Sequence, residues 1–174
     1  MKISIFLLRI LRRQLDTERR LFFKRWNRTL PTGEYLNDRW ERARSLGFGE
    51  DTSIYDSTVI IGDVSVGSRT WIGPFVLLDG SGGLRIGDNC SVSAGVQIYT
   101  HNTVMWAVSG GKQAVERRST VIGSNVYIGP NAVIAMGVRI GDSAVIGANS
   151  FVDSDIPAHR KAWGSPCRVQ QDQP

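Results

Sequence analysis

From Ile86 to Val152 an aliphatic residue returns at multiples of six positions, often with glycine directly after it. A period of six fits neither an amphipathic helix nor a simple alternating strand, so the repeat itself is the structural unit. Such repeats indicate a solenoid, and three of them make one triangular coil of about 18 residues. The sequence therefore predicts an all-β parallel β-helix of about five to six coils. The positions in phase are Ile86, Val92, Ile98, Ile122, Ile128, Ile134, Ile140, Ile146 and Val152.

Two interruptions shape the predicted solenoid, which we place at residues 51–157. An earlier register through Val66 and Ile72 is out of phase with the later one, and residues 80–83 are expected to form a turn two residues longer than usual. Residues 102–119 carry no hexad pattern and are expected to form a loop extruded from the wall. Loops of this length in compact domains are usually either functional or disordered. The apolar residues of this loop indicate that it packs against something, with a neighbouring subunit as one option.

The positive charge of the chain is concentrated before the solenoid. Residues 1–47 contain 12 of the 21 Lys and Arg residues and five acidic residues, whereas the remainder carries a slight negative excess. We predict that residues 1–50 form a helical basic arm that caps the open end of the solenoid or contacts another subunit. The alternative is a peripheral contact of residues 1–28 with an anionic membrane. No nucleic-acid recognition motif accompanies the charge, so nucleic-acid binding is not expected.

The hexads are followed by Asp155-Ile156-Pro157 and then by Gly164-Ser165-Pro166-Cys167-Arg168, which begins in the tail at residues 158–174. This combination resembles the hexapeptide-repeat acyltransferases, in particular sugar O-acetyltransferases of the galactoside, maltose and surface-polysaccharide type. The resemblance implies a left-handed β-helix, a homotrimer with active sites between subunits, and acetyl-CoA as co-substrate. A cytoplasmic location, at most peripheral to the membrane, fits the two cysteines and the absence of a cleavage-site pattern.

The same resemblance assigns the catalytic base and the acceptor site. His101 occupies the position of the family's catalytic histidine, and imidazole can remove a proton from a sugar hydroxyl at neutral pH. Asp79, 22 residues earlier in an expected turn, matches an aspartate that binds the acceptor. Trp71 could stack on a sugar ring, and Asn102 and Trp106 lie in the loop that is expected to select the acceptor. His159 is expected to face solvent or lie near the cofactor.

For acetyl-CoA, the sequence offers small residues and positive charge. Ala135, Gly147 and Ala148 would line the pantetheine arm, whereas Arg160, Lys161 and Arg168 would contact the phosphates. Two departures from the family pattern stand out. Pro130 occupies a position where relatives use a backbone N–H for the oxyanion, and Asp153-Ser154 replaces a Thr-Lys pair. Cys167 belongs to the tail signature and is not expected to act as a nucleophile.

Several alternatives remain at this stage. A nucleotide-sugar N-acetyltransferase would share the fold and cofactor but use an amine acceptor. A catalytically silent trimeric scaffold would use the solenoid for assembly alone. A γ-type carbonic anhydrase needs three histidines, and the chain has two, so no metal is expected. Serine acetyltransferase is disfavoured because the large helical domain of that group is absent.

Overall fold

The basic arm forms two helices joined by a short turn. The structure, a computed structural model, describes residues 5–170; the ends of the predicted arm and tail, residues 1–4 and 171–174, lie outside the described residues. Helix α1 spans Ile5–Trp26, a 3-10 turn spans Thr32–Tyr35, and α2 spans Arg39–Ser45. Asp38 caps α2 by accepting hydrogen bonds from the backbone N–H groups of Trp40 and Glu41. The helical arm is therefore confirmed.

The rest of the described chain is a parallel β-solenoid with three faces. Tyr127 pairs in register with Val145, which sets a regular coil of 18 residues, as the hexads predict. The first face contains β1 (Ser53–Ile54), β3 (Trp71–Ile72), β5 (Ser91–Val92), β10 (Tyr127–Ile128), β13 (Val145–Ile146) and β15 (Lys161–Trp163), closed by the antiparallel β16 (Arg168–Val169). The second and third faces contain β2 (Val59–Val66), β4 (Leu77–Ile86), β6 (Gln97–Ile98), β9 (Thr120–Ile122), β11 (Val133–Ile134), β12 (Arg139–Ile140) and β14 (Phe151–Val152).

The core is the stack of hexad side chains. All nine in-phase aliphatic residues are buried, and the small or β-branched residues at the fifth hexad position fill the space between them. Cys90 is one of these, as expected for a small core hydrophobe. The core therefore runs unbroken along the solenoid axis and fixes the register of each coil against the next.

One expected turn is wrong. Residues 80–83 do not loop out; they lie inside the ten-residue strand β4, which crosses from the second face to the third. β4 pairs with β2 along almost its whole length, and a register shift between Gly62 and Val64 absorbs the irregular spacing. A parallel partner coil can accommodate inserted residues as a bulge, which keeps the backbone hydrogen-bonded. This places Asp79 in a strand rather than in a turn.

The expected cap over the open end is formed by α2, not by α1. Ala43 of α2 and the following Phe48 are buried in the solenoid core. Arg42 donates hydrogen bonds to the carbonyl oxygens of Tyr55 and Thr58, which ties the helix to the first coil. By contrast, none of the residues of α1 is buried. Among residues 5–170, no helix is both long and apolar enough to cross a bilayer.

Candidate active site

His101 lies at the neck of the extruded loop, on the corner between the second and third faces. β7 (His101–Asn102) pairs antiparallel with β8 (Glu116–Arg117), and the short helix α3 (Val104–Val108) lies between these strands. The neck rests on the preceding coil, where a Cβ atom at Gly82 would come within 2.5 Å of the carbonyl oxygen of Thr100. Glycine is therefore required at position 82 for this close approach.

Asp79 lies directly beneath the histidine and is completely buried. Its Oδ2 is 2.6 Å from Nδ1 of His101, and it also accepts hydrogen bonds from the backbone N–H and hydroxyl of Thr100. Its Oδ1 accepts from the backbone N–H and hydroxyl of Ser81. The imidazole itself stays accessible, with 30% of the side chain exposed. The arrangement thus joins a sealed carboxylate to an exposed imidazole.

The protonation state of the pair follows from these contacts. Burial opposes ionisation of Asp79, but hydrogen bonds from Ser81, Thr100 and His101 outweigh it and hold the pKa of the carboxyl well below its ordinary value. An ionised Asp79 can only accept hydrogen bonds, so Nδ1 of His101 must carry the proton in the contact between them. The neutral imidazole then has an unprotonated Nε2, the form that a general base needs.

These contacts correct the role expected for Asp79. A carboxylate that is fully buried, with both oxygens hydrogen-bonded inside the chain, has no surface to offer to a sugar hydroxyl. Asp79 instead orients the imidazole. Ser81, which donates to Oδ1 of Asp79, was not among the residues expected in the site. A signal was present, because aspartate followed two residues later by serine is the spacing of a local side-chain-to-backbone turn.

A line of residues continues from His101 along one corner of the solenoid towards its C-terminal end. Leu78, Ile98, Ile134 and Val152 are partners in register, so the residues after them stack along one corner of the prism. We call this corner the histidine edge; it contains Asp79, Tyr99, Ala135 and Asp153 beside His101. Arg168 reaches the edge through Asp153, with Nη1 3.7 Å from the carboxylate. Of the expected cofactor contacts, Ala135 and Arg168 thus lie along the histidine edge.

The other small residues lie along a different corner. Gly147 and Ala148 follow the first-face strand β13, at the turn where Gly73 and Gly129 follow β3 and β10. We call this corner the glycine edge. Trp71 points towards the glycine edge, since its ring lies 3.0 Å from where a Cβ atom of Gly73 would be, and it packs edge-on against Tyr55 at 6.0 Å. Within one chain, the structure does not bring these residues to His101.

The other residues expected near the cofactor or in the tail lie at the C-terminal end of the solenoid. Lys161 begins the first-face strand β15, and Arg160 just before it donates a hydrogen bond to the carbonyl of Gln170. His159 is exposed, with a left-handed backbone conformation. Cys167 is buried, and burial together with the charge of Asp153 raises the pKa of its thiol. A thiol of this kind is a poor nucleophile, in agreement with a structural role.

The loop presents an apolar surface beside the histidine. Trp106 lies in α3 and is half exposed, as are Val104 and Met105, while Val108 is 73% exposed. Asn102 uses its side-chain oxygen to accept a hydrogen bond from the backbone N–H of Val104, which starts the helix. Asn102 therefore shapes the loop, and its role towards an acceptor stays a prediction. Nothing within residues 5–170 covers the exposed face of α3.

Comparison with known proteins identifies the repeats. Residues 119–154 match the family model described as bacterial transferase hexapeptide (six repeats), and residues 58–100 match the hexapeptide repeat of succinyl-transferase. Galactoside O-acetyltransferase of Escherichia coli K12 is 34% identical over 125 residues, which cover 60% of this chain and 62% of that protein. These matches show that the chain carries the hexapeptide repeats found in bacterial acyltransferases.

Solved structures of acyltransferases share the fold. A maltose O-acetyltransferase from Clostridium difficile 630 matches with a TM-score of 0.61 and 27% identity, over 95% of this chain and 87% of that one. The N-acyltransferase AntD from Bacillus cereus, in complex with dTDP and 3-hydroxybutyryl-CoA, matches with a TM-score of 0.63 at 19% identity, over 79% of this chain and 92% of that one. The match to the galactoside enzyme spans about three fifths of its length.

Proposed function

We propose that the protein is an acetyl-CoA-dependent O-acetyltransferase that modifies a sugar or a surface-polysaccharide precursor in the cytoplasm. The observation that carries this proposal is the 2.6 Å contact between the buried carboxylate of Asp79 and Nδ1 of His101. That contact leaves Nε2 as a proton acceptor on the exposed side of the histidine edge. The named sugar acetyltransferases among the relatives support the same class of acceptor.

The chemistry needs one base and no covalent enzyme intermediate. Nε2 of His101 removes the proton from an acceptor hydroxyl as the oxygen attacks the acetyl carbonyl. The C–O bond forms, the C–S bond breaks, and the imidazolium returns the proton to the departing sulfur. Asp79 stabilises the imidazolium while it exists, because an ionised carboxylate faces the protonated Nδ1. The two thiols are buried and take no part.

The histidine edge suits an extended thioester co-substrate. Acetyl-CoA supplies the acetyl group in activated form, and the complex of AntD with a CoA thioester supports such a ligand on this fold. Ala135 adds only a methyl group to the edge beyond His101, while the side chain of Arg118 packs over Gly137 beside it. Arg168 is exposed at the far end, so its guanidinium can exchange Asp153 for a phosphate. The fit does not require a metal.

We propose a homotrimer because the candidate residues lie on two edges of each chain. A three-fold arrangement would set the histidine edge of one copy against the glycine edge of the next. One groove would then contain His101, Ala135 and Arg168 from one copy and Trp71, Gly147 and Ala148 from its neighbour. Arg160 and Lys161, on the first face, would flank the groove from the neighbour's side. The uncovered apolar face of α3 would also gain a partner.

The test is thiol release from acetyl-CoA with a panel of sugar and glycan acceptors. His101→Ala should lower kcat on the order of 10²- to 10⁴-fold, because a positioned base contributes about that much. His159→Ala is the matched control, since it removes the only other histidine from an exposed position and should leave turnover unchanged. Wild-type turnover in His101→Ala would overturn the proposal.

Two experimental outcomes would favour one of the alternative functions instead. Mass spectrometry of the product distinguishes an ester on oxygen from an amide on nitrogen. An amide on a nucleotide-linked amino sugar would favour the N-acetyltransferase alternative, whose fold AntD shares. If calorimetry detects no acetyl-CoA binding to a folded trimer, the catalytically silent scaffold is the alternative that remains.

A further inference from the structure

Helix α1 has two halves with different surroundings. The second half is attached to the arm, where Phe22 packs edge-on against Tyr35 at 5.4 Å and Arg19 donates a hydrogen bond to Thr32. The first half contributes no buried side chain and carries large apolar residues on its surface. Ile5 is 72% exposed, Leu7 57% and Leu11 52%. Leaving such a run in water is unfavourable, which indicates a partner.

The order of residues in this half is specific. Residues 5–8 are Ile-Phe-Leu-Leu, and since one helical turn takes 3.6 residues, the tip of α1 is apolar on every side. Arg9, Arg12 and Arg13 follow directly, and their spacing of three and four places them on one side of the helix behind the tip; we call this group the basic collar. The first acidic residue of the helix is Asp16. An apolar tip with a basic collar matches the depth profile of a membrane interface, where acyl chains lie below a layer of phosphates.

We propose that residues 5–13 anchor the protein to the surface of an anionic lipid bilayer. The tip enters the boundary between headgroups and acyl chains, and the collar contacts lipid phosphates. The helix does not span the membrane, because its 22 residues are not apolar enough for that. The proposed anchor does not depend on the transfer reaction. The experiment that tests it therefore measures partitioning of the protein onto vesicles rather than turnover.

A lipid surface fits this segment better than a second copy of it. Residues 5–13 carry three positive charges and no negative charge, so two such segments side by side would repel each other. Anionic headgroups supply the missing negative charge. The arm as a whole has the same bias, with 12 basic and five acidic residues in residues 1–47, whereas the solenoid does not.

The experiment is co-sedimentation of the full-length protein with vesicles of phosphatidylcholine, with and without phosphatidylglycerol. We expect binding to the anionic vesicles that weakens as salt is added. The double variant Leu7→Glu/Leu11→Glu should lower the partition coefficient at least tenfold. Replacing Arg9, Arg12 and Arg13 with Gln should lower it by about 100-fold on anionic vesicles, since each basic residue contributes roughly fivefold near such a surface.

Leu21→Glu is the matched control, because Leu21 is also 57% exposed on α1 but lies in the attached half. It should partition like the wild type. The inference is overturned if the wild-type protein does not bind anionic vesicles, or if Leu21→Glu weakens binding as much as the tip variant. It is also overturned if the tip variant lowers the molar mass in solution by light scattering, because the tip would then be a contact between copies.

Discussion

At the scale of single residues, Asp79 and His101 have different roles in the candidate site. The carboxylate orients the imidazole, and the imidazole is the candidate base. The carboxylate is buried and accepts hydrogen bonds from Ser81 and Thr100, while the imidazole side chain stays 30% exposed. The resemblance to sugar acetyltransferases singled out His101 as the candidate base, and that role stays a prediction. The role of Asp79 could not be predicted, because a six-residue period does not show which side chains of neighbouring coils contact one another.

Asp79→Asn tests these two roles. An amide in place of the carboxylate would present an N–H to the backbone donor of Thr100 or to Nδ1, which favours the tautomer with the proton on Nε2. We expect kcat to fall on the order of 10²- to 10⁴-fold with little change in the KM for acetyl-CoA, as for an orienting carboxylate. Steady-state thiol release measures both parameters. A variant that loses acetyl-CoA affinity but keeps kcat would show that Asp79 serves binding instead.

The same carboxylate makes stability depend on pH in a defined direction. Because the pKa of Asp79 is lowered in the folded protein, ionised Asp79 stabilises the fold at pH values above its unfolded pKa of about 3.9. That contribution is lost as the pH falls towards the lower, folded pKa. The difference in Tm between wild type and Asp79→Asn should therefore be constant from neutral pH to about pH 5 and shrink below about pH 4. A constant difference down to pH 3 would contradict this assignment.

At the scale of elements, the hexads predict the coil length and the core but not the path of the chain at the corners. The in-phase residues are buried because each strand pairs in register with the next coil. Residues 80–83 have a turn-like composition, yet strand β4 runs through them because β2 offers hydrogen-bond partners along its length. Long-range pairing overrode local propensity here, and that is why Asp79 is buried rather than exposed.

Two isoleucine variants test whether stability depends on the stacked hexad side chains rather than on the loss of any isoleucine side chain. Ile134→Ala removes a fully buried side chain between Ile98 and Val152 and should lower the free energy of unfolding by about 2–5 kcal/mol. Ile61→Ala makes the same chemical change at a position that is 45% exposed, so it should cost less than about 1 kcal/mol. Chemical denaturation of both variants measures the difference. Equal losses would mean that the stack does not dominate stability.

At the scale of the whole molecule, the proposed reaction requires surfaces that a single chain keeps apart. His101, Ala135 and Arg168 lie along the histidine edge, while Gly147 and Ala148 lie along the glycine edge. The repeat places Ala135, Gly147 and Ala148 just after inward-facing hexad residues, but it could not tell which corners would face one another. That information belongs to the assembly, because parallel coils of one chain never bring two of their own edges together.

Mixed assemblies can test whether the two edges form one site. His101→Ala disables the histidine edge, and Ala148→Trp should block the glycine edge; each variant alone should be inactive. If each groove of a trimer takes one edge from each of two copies, trimers assembled from equal amounts of both variants should recover up to roughly one quarter of wild-type activity. Mixing His101→Ala with Asp79→Asn is the control, because both changes lie on the same edge and no groove is restored. Recovery no greater than in this control would place the whole site on a single chain and remove the reason for a shared groove.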